Sequence, residues 1–148
     1  CALPIYLKSS CDILENKANL EIKSNKFEKG WKKDTSKIDK SVDINGTIII
    51  GENSILKPGV KINGKLSLGD DCLIFDGTTI LDSLIWEGTT IGKNCTIAKA
   101  IIGCNTIIGD NVTIEEGSVI ASNCSIPPGS KVEKDGIISR NEVCNCQP

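Results

Sequence analysis

From Ile38 onward an aliphatic residue returns every six positions: Ile38, Ile44, Ile50, Leu56, Ile62, Leu68, Ile74 and Ile80. The beat slips by one residue and resumes at Ile85, Ile91 and Ile97. It slips once more and runs through Ile102, Ile108, Ile114, Ile120, Ile126 and Val132 to Ile138. Eighteen beats on one period outrank every other signal in the chain. A spacing of six is neither the 3.6 of a helix nor the plain alternation of a hairpin strand. It predicts short strands joined by corners, each strand giving one residue to a common core.

Two other positions of the hexad carry the same message. The fourth holds a corner residue: Asn53, Gly59, Asp71, Gly77, Gly88, Asn94, Asn105, Asn111, Gly117, Asn123, Gly129 and Asp135. Gly, Asn and Asp tolerate the left-handed backbone that a tight corner requires. The fifth is small or β-branched, as at Ser54, Val60, Cys72, Thr78, Thr89, Cys95, Thr106, Val112, Ser118 and Cys124. Such side chains fit inside a narrow core without overfilling it. On this register Ile91 points into the core and Glu115 sits on an exposed corner.

The hexads resemble the hexapeptide-repeat, left-handed parallel β-helix, an all-β fold in which three hexads close one triangular coil. The resemblance implies about six coils and a prism about 29 Å tall at the usual inter-strand spacing. The left hand comes from the resemblance alone, and it departs from the usual hand of parallel crossovers. The two five-residue intervals, Ile80 to Ile85 and Ile97 to Ile102, then fall on one face, as two shortened strands stacked in register.

The text around these intervals is more specific. Ser83 to Trp86, Ile91 to Ile97 and Ile101 to Val112 resemble the C-terminal domain of sugar-1-phosphate nucleotidyltransferases, especially the mannose-1-phosphate guanylyltransferase type. Tyr6 to Leu14 is similar to the linker helix that follows the catalytic domain in those proteins, and Leu7, Cys11, Leu14 and Ala18 have helical spacing. The expected organisation is a linker with a short helix and an N-terminal cap over 1–37, a β-helix over 38–143 and a tail over 144–148. Trp31 is expected to lid the open end of the first coil. Residue 1 is Cys rather than Met, and the natural start is expected upstream.

Composition narrows the function. Aromatics are 3%, natural for a core too narrow for rings. The net charge of −2 argues against a nucleic-acid binder, although residues 1–37 carry +3 and residues 38–148 carry −5. No apolar run reaches membrane-spanning length, so no membrane partner is expected, and a cytoplasmic location is the expectation. Cys72, Cys95 and Cys124 occupy inward fifth positions as small hydrophobes. Cys104 should face outward, and Cys144-Asn-Cys146 is too tight for the usual zinc pair.

The chain has no histidine. Hexapeptide acyltransferases use a histidine as base, and γ-class carbonic anhydrases bind zinc through histidines, so neither chemistry carries over. The carboxylates Asp70, Asp71, Asp76, Asp82, Glu87, Asp110, Glu115 and Glu116 read as solvated corners. No catalytic, cofactor-binding or metal-binding residue is therefore expected in this chain. The resemblance implies an assembly or regulatory β-helix of an enzyme making an NDP-sugar such as GDP-mannose. Its partners would be its own N-terminal catalytic domain and further copies of itself. Mg²⁺ and a nucleoside triphosphate belong to that catalytic domain. Two alternatives stand beside this one: a translation exchange-factor-like subunit, and an acyltransferase relative without the catalytic histidine.

Overall fold

The computed structural model describes residues 25–27 and 29–139, and within them every regular element is a strand, from β1 (Asn25–Phe27) to β17 (Ile137–Ile138). The helix expected around 6–18 and the tail at 144–148 lie outside the described residues. The strands stack in parallel on their equivalents one coil away and form the three faces of a prism. The first face is the six-stranded sheet of β3 (Lys37–Ile38), β5 (Ile55–Leu56), β7 (Leu73–Ile74), β9 (Thr90–Ile91), β12 (Ile107–Ile108) and β15 (Ser125–Ile126). β4 (Asp43–Ile50), β6 (Lys61–Leu68) and β8 (Thr79–Ile85) each run through the second and third faces. Further along, the second face continues in β10 (Thr96–Ala98), β13 (Thr113–Ile114) and β16 (Lys131–Val132). The third continues in β11 (Ile101–Ile102), β14 (Val119–Ile120) and β17.

The six-residue beat forms the axial core. From Ile50 to Val132 every beat residue is buried, at 2% exposure or less. Only the terminal beats Ile38, Ile44 and Ile138 are partly buried, because they lack a neighbouring coil on one side. Stacking in this way gives each coil's backbone groups partners above and below, and one coil alone would leave them unpaired.

All twelve fourth-position residues named from the sequence have positive φ, from 52° at Asn105 to 80° at Gly117. The glycines that follow the aliphatic beat serve a different need, close approach between coils. A Cβ on Gly69 would stand 2.5 Å from the Glu87 nitrogen, and one on Gly103 would stand 2.5 Å from the Ser122 nitrogen. Coil backbones touch there, so any side chain would force them apart.

Ile80 and Ile97 pair directly, so the two short intervals do share a face. Lys37 faces Ile55, eighteen residues on, whereas Leu73 faces Thr90, seventeen on. β8 is one residue shorter than β6, and the residue is lost where the strand passes from the second face to the third, in keeping with the expected shortening. In β6 the chain passes this corner through Asn63, Gly64 (φ 78°) and Lys65, and its register with β8 shifts between Asn63 and Leu66. One coil on, Asp82 (φ 40°) and then Lys99 (φ 44°) turn the same corner in left-handed conformation. The Lys99 N–H donates to the Leu81 carbonyl (2.8 Å), and the Gly117 N–H donates to the Lys99 carbonyl (3.0 Å), holding the turns in register.

The top of the stack differs from expectation. β2 (Gly30–Lys32) already pairs in parallel with β4, ahead of Ile38, and β1 adds an antiparallel strand beyond it. Gly30 and Lys32 face the inward residues Ile48 and Ile50, so Trp31 between them faces Ile49 and turns outward. Trp31 is 9% exposed but stands outside the axial cluster, so it does not lid the first coil.

Candidate functional site

Because side chains alternate along a strand, each face of the prism shows one outward row to its surroundings. The first face shows Lys37, Ile55, Leu73, Thr90, Ile107 and Ser125. The second shows Asp43, Lys61, Thr79, Thr96, Thr113 and Lys131, polar throughout. The third shows Trp31, Ile49, Ser67, Leu84, Ile101, Val119 and Ile137, apolar except at Ser67. Sequence reasoning from the core beat missed this third row. Its signal was the doubled aliphatic, as in Ile48-Ile49-Ile50, Leu84-Ile85 and Ile101-Ile102.

Inside, the small fifth-position residues do more than save space. Thr78 Oγ1 donates to the Gly92 carbonyl (2.7 Å) and accepts from the Cys95 N–H (3.1 Å). Thr89 Oγ1 donates to the Gly103 carbonyl (2.9 Å). The thiols follow suit: Cys72 Sγ reaches the Trp86 carbonyl and Cys95 Sγ the Gly109 carbonyl, both at 3.1 Å. Each donor ties its own coil to the next one at a corner carbonyl the ladders leave over. Burial pushes the Cys72 and Cys95 thiols up, which keeps them protonated as donors and not as nucleophiles. Cys104 is half-exposed, as its position predicted, and its Sγ donates to Glu87 Oε1 (3.2 Å). Partial desolvation and the adjacent Glu87 carboxylate raise that thiol too. Among the described cysteines, Cys72, Cys95 and Cys104 are free thiols. The Cys144-Asn-Cys146 pair lies outside the described residues.

The carboxylates stand apart or are matched with lysines. Asp70, Asp71, Asp76, Glu87 and Asp110 are exposed, while Asp82, Glu115 and Glu116 are half-buried, against the expectation of open corners for these three. Glu115 pairs with Lys131 (2.9 Å), and its Oε2 accepts from the Lys134 N–H (3.0 Å). Glu116 pairs with Lys134 (3.0 Å) and Lys99 (3.3 Å). Hydrogen bonds from Lys131 to Glu115, and from Lys134 and Lys99 to Glu116, hold both carboxyls below the ordinary glutamate range. A shallow groove of about 340 Å³ lies beside them, lined by Thr96, Ala98, Thr113, Glu115, Glu116 and Lys134. A second of about 400 Å³ is lined by Lys37, Asp39, Ile55, Lys57 and Pro58.

Neither groove pairs a nucleophile with a base. Among the described residues no three His, Cys, Asp or Glu side chains converge on a point that would hold a metal ion. Among the described residues no helix is long and apolar enough to cross a membrane.

Comparison with known proteins agrees with this geometry. Residues 28–140 match the family model of the EIF2B subunit epsilon LbH domain, a left-handed β-helix. Over 99 residues the chain is 36% identical to the bifunctional protein GlmU of Clostridioides difficile strain 630, covering 66% of this chain and 21% of that protein. Over 114 residues it is 34% identical to the glucose-1-phosphate adenylyltransferase of Desulforamulus reducens, covering 68% of this chain and 26% of that enzyme. The chain thus spans about a fifth to a quarter of the curated relatives it matches. Among solved structures it superposes on a hexapeptide transferase family protein from Anaplasma phagocytophilum with a TM-score of 0.58. That match is 23% identical and covers 69% of this chain and 68% of that one, a likeness of fold.

Proposed function

This chain belongs to the EIF2B subunit epsilon LbH domain family, and from that premise we propose that it is the C-terminal β-helix of a sugar-1-phosphate nucleotidyltransferase. The observation that carries this reading is the confinement of its similarity. Two relatives, GlmU and glucose-1-phosphate adenylyltransferase, match it over only 21% and 26% of their lengths. In this reading an upstream domain transfers the nucleotidyl group with Mg²⁺ and releases pyrophosphate. The β-helix holds copies of that domain together in the cytoplasm. The rungs Ser83–Trp86, Ile91–Ile97 and Ile101–Val112 support the finer assignment to the mannose-1-phosphate guanylyltransferase type, with GDP-mannose as product.

A second reading, a β-helix of a translation exchange-factor subunit, is favoured by the description of the matching family itself. Both readings give this chain a structural role, and they part at the upstream domain. The purified chain is incubated with GTP, Mg²⁺ and mannose 1-phosphate, and separately with acetyl-coenzyme A and sugar acceptors. No turnover above a heat-killed control is the expected result, and turnover in either mixture would overturn the structural role. Light scattering should report an oligomer. The protein extended through its upstream coding sequence should release pyrophosphate with a sugar 1-phosphate. If it releases none, the exchange-factor reading takes precedence.

A further inference from the structure

The first face is complementary to itself. Its strands β3, β5, β7, β9, β12 and β15 stack as rungs, and two columns point outward from them. One is the row Lys37, Ile55, Leu73, Thr90, Ile107 and Ser125. The other follows each inward residue: Asp39, Lys57, Phe75, Gly92, Gly109 and Pro127. Ladder bonds hold this column in line, as from the Phe75 N–H to the Ile91 carbonyl and from the Gly92 N–H to the Ile108 carbonyl (2.9 and 2.8 Å).

The two ends of the face are opposites. In the upper coils the second column is bulky, with Lys57 and Phe75, and in the lower coils it is bare, with Gly92 and Gly109. The first column reverses this. Its upper part holds the shallow hollow of about 400 Å³ around Ile55, lined by Lys37, Asp39, Lys57 and Pro58. Its lower part raises Ile107, which is 57% exposed. Charge divides the same way: residues 29–65 carry +4 and residues 66–139 carry −6, so two prisms lying side by side attract head to foot. The Asp110 carboxylate lies against Gly92, where its Oδ1 accepts from the Lys93 N–H (2.8 Å). Among the described residues neither that carboxylate nor the Lys57 ammonium has an ion-pair partner.

A two-fold axis parallel to the strands and midway between β7 and β9 matches these features at once. It sets β5 over β12 of a second copy, and β7 over β9. Ile107 of the second copy then enters the hollow at Ile55, Phe75 covers Gly92, and Lys57 lies over Gly109 and reaches Asp110. Every contact is made twice, as an isologous interface requires. Along the same edge the exposed Asp76 and Lys93 also meet. The other edge opposes the pairing, because Asp70 and Asp71 approach Glu87 of the second copy; these groups are exposed, and salt screens them. The face offers about 500 Å² per copy at the usual strand dimensions, less than the roughly 800 Å² of a standard interface, so the pair is a weak one.

We propose that the first face is the self-association surface of the β-helix and joins two copies antiparallel about that axis. This rests on the reading of the chain as an assembly domain, and names the face and the register of the assembly.

Sedimentation equilibrium of the whole chain from micromolar to millimolar concentration tests it. The wild type should dimerise. I107E should weaken the dimer at least tenfold with an unchanged thermal melt, since Ile107 stands clear of the core. K57E and D110K should each weaken it, and K57E/D110K should restore it, because both pairs re-form with their charges exchanged. If D110K fails to fold for want of its bond to the Lys93 N–H, I107E and K57E still decide. A dimer indifferent to I107E and K57E, or one that a folded K57E/D110K does not restore, would overturn the face and register while leaving the assembly reading in place. A wild-type chain that stays monomeric to millimolar concentration would overturn both.

Discussion

The second and third faces rest on the same axial column and show opposite surfaces. Beneath one lie Ile80, Ile97 and Ile114, and beneath the other Ile85, Ile102 and Ile120, all at 1% exposure or less. Above them stand Thr79, Thr96 and Thr113 on one side and Leu84, Ile101 and Val119 on the other. Threonine and aliphatic residues suit a strand equally well, so the strand itself does not choose between them. The inward residue is dictated by a core with no room and no partner for polarity. The outward residue is free of that demand, and its character reports what the face meets. The polar face meets water and lysine–glutamate pairs, whereas the apolar face is dry at its middle, where Leu84 and Ile101 are 7% and 8% exposed, and open at its far end, where Ile137 is 70% exposed.

The largest expected effect ignores the difference between faces. Ile91→Asp places a carboxylate in the axial column with nothing to pair it, and should cost more than about 4 kcal/mol, enough to unfold the chain at room temperature. Thermal and denaturant melts read this directly. A loss no larger than that of an outward substitution would refute the hexad register.

The next substitution pair separates the faces. Ile101→Glu should cost about 2 kcal/mol, the value of keeping such a side chain out of water. Thr96→Glu, at the matching outward position of the polar face, should change stability by less than about 0.5 kcal/mol. Equal losses in urea melts would mean that the third face is no drier in solution than the second.

A smaller change probes the inner hydrogen bonds beneath the polar face. Thr78→Val keeps the shape but removes the hydroxyl that joins Gly92 to Cys95, and should cost about 1 kcal/mol. Amide exchange at Cys95 should quicken in step. An unchanged melt would show that size alone matters at the fifth position.

The smallest effect lies at the corner joining the two faces. Lys99 holds a left-handed φ of 44°, which a side chain disfavours. Lys99→Gly should relieve that cost, lose the exposed pair with Glu116, and leave a net gain below about 1 kcal/mol. A lower melting temperature would mean that the pair with Glu116 outweighs the backbone strain.

Much of this molecule could be read from residues alone. The beat located the buried column, and every Gly, Asn and Asp named at the fourth position turned in the left-handed region. Lys99 and Asp82 escaped because the five-residue intervals hide which residue turns once one is removed. Trp31 escaped because its side depends on pairing with Ile49, many residues away. Glu115 and Glu116 looked like open corners because Lys131 and Lys134 approach them only after another coil is wound.

The sequence by itself determined the period, the inward residues and the corners, because a stacked solenoid repeats the same local demand in every coil. Only the tertiary structure decided what stands beside what across coils. The hydroxyl-to-carbonyl ties, the ion pairs and the dry apolar row each join residues about one coil apart. Those pairings follow from the exact number of residues between corners, and a single residue lost at a corner changes the partner of every side chain beyond it.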